Sequence, residues 1–77
     1  MVNAVPDIML DTTSLLCPMP VLKTKKAIDG MQPGQLLEVS VRDVAAKTDI
    51  VYLVQRLKLE LIDLSEEDGI IRITIKK

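Results

Sequence analysis

The stretch at residues 15–23, LLCPMPVLK, sets the reading of the whole chain. Proline is favoured at the first position of a helix, where its missing N–H costs nothing. Pro18 therefore marks a helix start and leaves Cys17 as the N-cap residue. Pro20, still within the first turn, is tolerated there. Downstream, Pro20, Val21, Thr24, Ala27, Ile28 and Met31 fall on one face, while Lys23, Lys26 and Asp29 point elsewhere. That spacing predicts an amphipathic helix. Upstream, Ile8 and Leu10 alternate with Met9 and Asp11 in a short strand, and Asp11 to Leu16 is a loop. The chain passes from strand to helix at its one cysteine.

The same reading extends to the C-terminus. Gly30 fits the helix end, and Gln32-Pro33-Gly34-Gln35 reads as a type II turn, with Pro presetting φ and Gly supplying the positive φ. Leu37, Val39 and Val41 alternate with Glu38, Ser40 and Arg42 in a second strand. Asp43 caps a second helix, whose apolar face is Ala46, Ile50, Leu53, Val54 and Leu57. Leu59 to Leu64 is a third strand. Glu66-Glu67-Asp68-Gly69 is a tight connection in which Asp-Gly is the hairpin signal. Ile71, Ile73 and Ile75 alternate with Arg72, Thr74 and Lys76 in a fourth strand. The order β-α-β-α-β-β predicts an α+β two-layer sandwich: a four-stranded mixed sheet with two helices on one face.

Composition narrows the class. A chain of 77 residues is expected to be one domain spanning 1–77, with 1–6 as a loose N-terminal extension. At this size roughly 60% of the unfolded chain's surface is buried, enough for a small core. The chain is 48% hydrophobic yet has no Phe or Trp, and Tyr52 is its sole aromatic residue, so the core must be aliphatic. A net charge of −1, a pI near 5.2 and one tyrosine offer neither a basic surface nor a stacking platform, which makes direct nucleic-acid binding an unfavoured expectation. The N-terminal MVNAVPDIML lacks the pattern of a signal peptide. The longest apolar run, Ile50 to Val54, is too short to span a bilayer. With a single cysteine, no internal disulfide is possible, which suits a reducing compartment. The expected location is the cytoplasm, with no membrane insertion.

Elimination limits what Cys17 could do. The chain has no His, so there is no Cys-His nucleophile pair. It has no second Cys, so there is no Cys-x-x-Cys couple and no internal resolving thiol. One Cys without His is a poor start for a zinc site, and no metal is expected. Group carriage, exchange with a partner's thiol and oxidation sensing remain. A helix N-terminus favours the thiolate, which is the nucleophilic form. Pro18 and Pro20, however, remove two of the usual donors, leaving the Met19 N–H as the nearest partner and giving the prolines a role in rigidity and exposure. The plainer reading is a small hydrophobe, the common state of a lone cysteine. A helix-start cysteine followed by Pro18 and Pro20 weighs against it.

Residues 10–28, LDTTSLLCPMPVLKTKKAI, resemble the signature of the TusA-like sulfurtransferases, also called the SirA family: Leu-Asp, a short loop, Cys-Pro-x-Pro, then an amphipathic helix. The resemblance continues through MQPGQLLEV at 31–39, Asp43, Thr48-Asp49-Ile50 and the terminal EEDGIIRITIKK, covering about residues 7–77. It implies the same β-α-β-α-β-β sandwich, similar to the C-terminal domain of a translation initiation factor. It also implies that Cys17 accepts sulfane sulfur as a persulfide and relays it, with Pro18, Pro20 and Asp11 as supporting motif residues. Partners would be transient: a sulfur donor of cysteine desulfurase or rhodanese type, and a sulfur-acceptor protein. No cofactor is implied, because sulfur is the cargo. Branches of the family serve tRNA thiolation, sulfur oxidation, thiosulfate use and molybdenum cofactor formation. Ser14 stands where the family usually has glycine, Thr13 and Leu16 where arginine is frequent, and Val44 where proline follows the aspartate.

Lys23, Lys25 and Lys26 form a basic cluster on the first helix. A solvated helix face is the plain account, and docking to an acidic partner, chiefly through Lys23 and Lys26, is the functional one. For Asp49 a solvated helix residue is the expectation, with a partner-facing role as the alternative. The rival to a sulfur carrier is a non-catalytic interaction or redox-regulatory module in which Cys17 carries no sulfur. An RNA-binding reading rests on fold analogy alone, and fold does not fix function.

Overall fold

A computed structural model describes residues 6–15 and 19–77. The expected N-cap Cys17, the first helical position Pro18, Leu16 and residues 1–5 of the expected extension lie outside the described residues. The elements run β1 (Ile8–Asp11), α1 (Met19–Asp29), β2 (Leu36–Val41), α2 (Val44–Arg56), β3 (Glu60–Glu67) and β4 (Ile70–Lys76). They form one four-stranded sheet in the order β1-β2-β4-β3, with β1 parallel to β2 and the other pairs antiparallel. This is the α+β two-layer sandwich with a mixed sheet that the sequence implies. Both helices pack on the same face, where the alternating aliphatics of the strands meet them.

Strand alternation builds that core directly. Leu37, Val39 and Val41 of β2 and Ile73 and Ile75 of β4 have no exposed surface, and Ile71 has almost none. Cross-strand register places Leu37 against Ile75, Val39 against Ile73 and Val41 against Ile71, so the two central strands supply one continuous aliphatic layer. Ala46, Ile50 and Val54 of α2 and Ile28 of α1 close over it, with Met31 just beyond α1. Thr24 is fully buried in α1, and its hydroxyl donates to the Pro20 carbonyl at 2.7 Å, so no polar cost remains. Lys77 finishes the chain by fixing the far end of α1: its Nζ donates to the carbonyls of Ile28 and Met31 at 2.7 and 3.0 Å.

The connections follow local chemistry. Gly34 has φ of 92°, and the Gln35 N–H donates to Gln32 O at 3.1 Å, as a type II turn requires. The Asp43 carboxylate accepts from the Ala45 N–H at 2.9 Å and caps α2. At the other end of α2, Lys58 adopts φ of 58°, its N–H reaches Gln55 O, and the Leu59 N–H reaches Val54 O. This is a Schellman arrangement with lysine in the left-handed position usually given to glycine.

Two expectations are corrected. The third strand runs from Glu60 to Glu67 instead of from Leu59 to Leu64, because β4 supplies partners all the way to Ile70, opposite Glu67. The turn itself needs only Asp68 and Gly69, whose φ values of 54° and 78° suit a two-residue type I′ hairpin. Ladder pairing outweighs the poor strand propensity of Glu66 and Glu67, which sit at a solvated edge. Leu57, assigned to the apolar face of α2, is its C-cap residue and remains 40% exposed.

Candidate functional site

The connection that carries Cys17 springs from the C-terminal end of β1. Thr12 follows that strand and is 1% exposed. Both its N–H and its hydroxyl donate to Ser40 O of the neighbouring β2, at 2.9 and 2.7 Å. The Asp11 carboxylate accepts from the Thr13 N–H at 3.0 Å and from the Thr13 hydroxyl at 2.7 Å, an Asx turn that bends the chain away from the sheet. The Leu15 N–H then donates to Thr12 O at 3.0 Å. The near side of the connection is pinned by its own backbone and to β2.

The far side is pinned by α1. Its first described residue, Met19, is exposed, and Pro20 behind it is buried against the core. A proline within the first turn sacrifices no intrahelical hydrogen bond, since the first N–H groups of a helix have none to make. Asp11 and Pro20 therefore flank the interval 16–18 from two anchored positions. Cys17 and Pro18 lie outside the described residues.

Asp11 keeps its charge easily. The Thr13 hydroxyl, then the Thr13 backbone N–H, hold its carboxyl below the usual carboxylate range; the positive charge of Arg42 adds to this, and slight burial opposes it. A lowered folded-state value means stabilisation that is present above the unfolded value of about 3.9 and lost as pH falls through the folded value. Asp11→Asn is therefore expected to leave a stability gap from wild type that stays constant above about pH 5 and closes below about pH 4. Urea denaturation across a pH series reads it. A gap independent of pH would show that the carboxylate's charge contributes nothing to the turn.

Lys23 and Lys26 are both exposed on α1, one helical turn apart. Lys25 pairs with Asp29 at 3.5 Å, a solvated i,i+4 contact worth little. Helical spacing places Met19 and Leu22 on the same outer stripe as Lys23 and Lys26, and Leu22 is 53% exposed. Beside this stripe a groove of about 470 Å³ runs between the helices, lined by Val21, Leu22, Lys25, Asp49, Tyr52 and Leu53 among others. Sequence reasoning did not single out Leu22 or Tyr52. The available signal was their position off the two apolar helix faces. Asp49, expected to be a solvated helix residue, is exposed and stands at the groove wall.

Among the described residues no group of three or more His, Cys, Asp or Glu side chains could hold a metal ion. No helix among them is long and apolar enough to cross a membrane.

Comparison with known proteins places this arrangement in a family. A protein of Archaeoglobus fulgidus, provisionally named a sulfur carrier, is 37% identical over 68 residues, covering 87% of this chain and 88% of its own. The sulfur carrier protein TusA of Allochromatium vinosum is 35% identical over 68 residues, covering 88% of this chain and 90% of its own. The crystal structure of a SirA-like protein from Desulfitobacterium hafniense superposes with a TM-score of 0.80 at 25% identity, covering 90% of this chain and 95% of that one. The family model described as Sulfurtransferase TusA matches residues 8–77, from the first residue of β1 to the C-terminus, and the chain belongs to that family.

Proposed function

We propose that the protein is a sulfur carrier whose Cys17 holds sulfane sulfur as a persulfide and relays it between partner proteins. One observation carries this reading: the family match runs from residue 8 to residue 77 and so includes the Cys17-Pro18-Met19-Pro20 motif. The Cys17 thiolate attacks the outer sulfur of a donor persulfide. A new sulfur–sulfur bond forms at Cys17 Sγ, the donor's sulfur–sulfur bond breaks, and the electron pair leaves with the donor thiolate. An acceptor thiolate then attacks the outer sulfur held on Cys17, and Cys17 departs as thiolate. The two exchanges balance without external oxidant or reductant, and the sulfur itself is the cargo. Asp11, Pro18 and Pro20 are positioning residues in this scheme. The whole of 1–77 acts as one domain, working in a reducing compartment such as the cytoplasm.

Donor and acceptor contacts must be transient, because the carrier has to leave each partner. The donor is of cysteine desulfurase or rhodanese type. Lys23 and Lys26, exposed on the helix that follows the motif, steer an acidic partner toward it. Reversing both charges, with Lys23→Glu and Lys26→Glu together, should slow sulfur transfer from a donor protein roughly tenfold at low salt, with the gap closing as ionic strength screens the surface. Loading from inorganic polysulfide should be unchanged. Transfer rates that ignore both the reversal and the salt would remove the lysines from docking.

The decisive experiment is intact-protein mass spectrometry after incubation with a cysteine desulfurase and cysteine, and separately with thiosulfate and a rhodanese. A gain of one sulfur atom that a reductant removes is the expected result. No gain with either donor system would sink the carrier reading and favour an interaction module.

A further inference from the structure

β3 closes the sheet on the side away from β1, and among the described residues it pairs only with β4. Its outer edge presents backbone N–H and C=O groups with no strand beside them, the template on which a further strand pairs. The two faces of this edge differ in chemistry. Leu61 stands opposite Ile75 and Leu64 opposite Ile73, which puts both leucines on the helix-bearing face. Those isoleucines are fully buried, whereas Leu61 and Leu64 are 39% and 41% exposed, because nothing lies beyond them at the edge. Glu60, Asp63 and Glu67 stand opposite Lys76, Thr74 and Ile70 and lie on the open face, while Glu66, opposite Ile71, shares the helix-bearing face with the two leucines. From Glu60 through Gly69 the chain has five carboxylates and no Lys or Arg.

The paired edge of β3 shows what suits such a strand. β4 sets Ile71, Ile73 and Ile75 on the helix side and Arg72, Thr74 and Lys76 on the other. Ile75 and Ile73 meet Leu61 and Leu64, Lys76 stands opposite Glu60, and Arg72 stands opposite Ser65 on the same face as Asp63 and Glu67. The outer edge offers the same two faces. A second copy does not match it: among the described residues the alternating aliphatic and basic strand is β4, which lies inside the sheet, and the other edge strand, β1, carries Asp11 and no cation. Pairing two β3 edges would bring carboxylates together, which is unfavourable.

We propose that the outer edge of β3 is a docking site for an extended segment of a partner protein in which aliphatic residues alternate with Lys or Arg, added as a fifth strand. Main-chain hydrogen bonds supply the pairing, and the Leu61/Leu64 strip together with the carboxylate row supplies the selectivity. The edge lies across the sheet from β1, so a segment bound there leaves β1 and the Thr12–Leu15 segment that follows it uncovered. The site is independent of any sulfur chemistry, and its failure would leave the carrier reading untouched.

The test is NMR titration of the full-length isotope-labelled protein with a seven-residue peptide alternating lysine and valine. The control is an isomer of the same composition with its valines in one block and its lysines in another. Expected are saturable amide shifts centred on β3, slowed exchange of its outward-facing amides, and binding roughly tenfold weaker both for the blocked isomer and for Leu64→Lys with the alternating peptide. No saturable shift, equal binding of the two peptides, or shifts centred away from β3 would overturn the proposal. The carboxylates and the register shift between Leu61 and Asp63 would then serve only to keep the edge from pairing.

Discussion

Ile73→Ala is expected to remove about 3 to 5 kcal/mol of folding stability, the upper part of the range for truncating a buried isoleucine. Ile73 has no exposed surface and lies on a central strand between Val39 and Leu64. The helices press on it from one side and the sheet holds its backbone on both edges, so the cavity left by three lost carbons has little means of collapsing. A domain of 77 residues has a total stability on the order of 4 to 12 kcal/mol. The variant should therefore lose roughly 2 M from its urea midpoint, or be largely unfolded in buffer. Leu64→Ala is the matched control. Leu64 faces Ile73 across the β3–β4 ladder but is 41% exposed, so its truncation should cost about 1 kcal/mol or less. Equal losses at the two positions would mean that β3 is packed as tightly as β4, contrary to the exposure of its side chains.

That contrast also explains what could be read from the sequence. Period-two alternation placed β1, β2 and β4, because each buries one face and the pattern records it. The pairs Ile73/Val39 and Ile75/Leu37 are visible as two runs of alternating aliphatics even before the strands are brought together. β3 differs from its sequence pattern at both ends for the converse reason. It lies at an edge, its burial alternation is weak, and its C-terminal half consists of acidic residues that look like turn. Its length is set by β4 across the ladder, a tertiary fact. The same division holds at the candidate site. The Cys-Pro-x-Pro motif is local in sequence and visible there, whereas Asp11 reads in the sequence only as a supporting motif residue, and its turn with Thr13 comes from the structure. The seating of Thr12 on Ser40 spans 28 residues, and the bonds from Lys77 to Ile28 and Met31 span 49 and 46, so no local pattern announces them. Leu22 and Tyr52 lie off the apolar stripes of the two helices, and helical periodicity marks only the stripe that packs on the sheet.

Cys17→Ser is expected to abolish sulfur loading outright. Serine preserves the size of the side chain but offers an alcohol, which neither ionises near neutral pH nor forms a sulfur–sulfur bond. No other residue can substitute, since the chain has no second thiol to take the sulfur and no His to activate an alcohol. The expected readout is no mass gain in the variant under conditions that load wild type to completion, with a reductant returning wild type to its starting mass. Pro18→Ala and Pro20→Ala separate nucleophile from scaffold. Each leaves the thiol in place, so loading should persist, but each frees the backbone on the helix side of the interval 16–18. A loss of order tenfold in transfer rate to an acceptor, with the final extent of loading unchanged, is the outcome that assigns the prolines to positioning. If Cys17→Ser still gained a reductant-sensitive sulfur, the cargo would not reside on Cys17 and the carrier mechanism would fail. If the proline variants transferred at the wild-type rate, the thiol alone would suffice, and the two prolines would have to be explained by folding instead of chemistry.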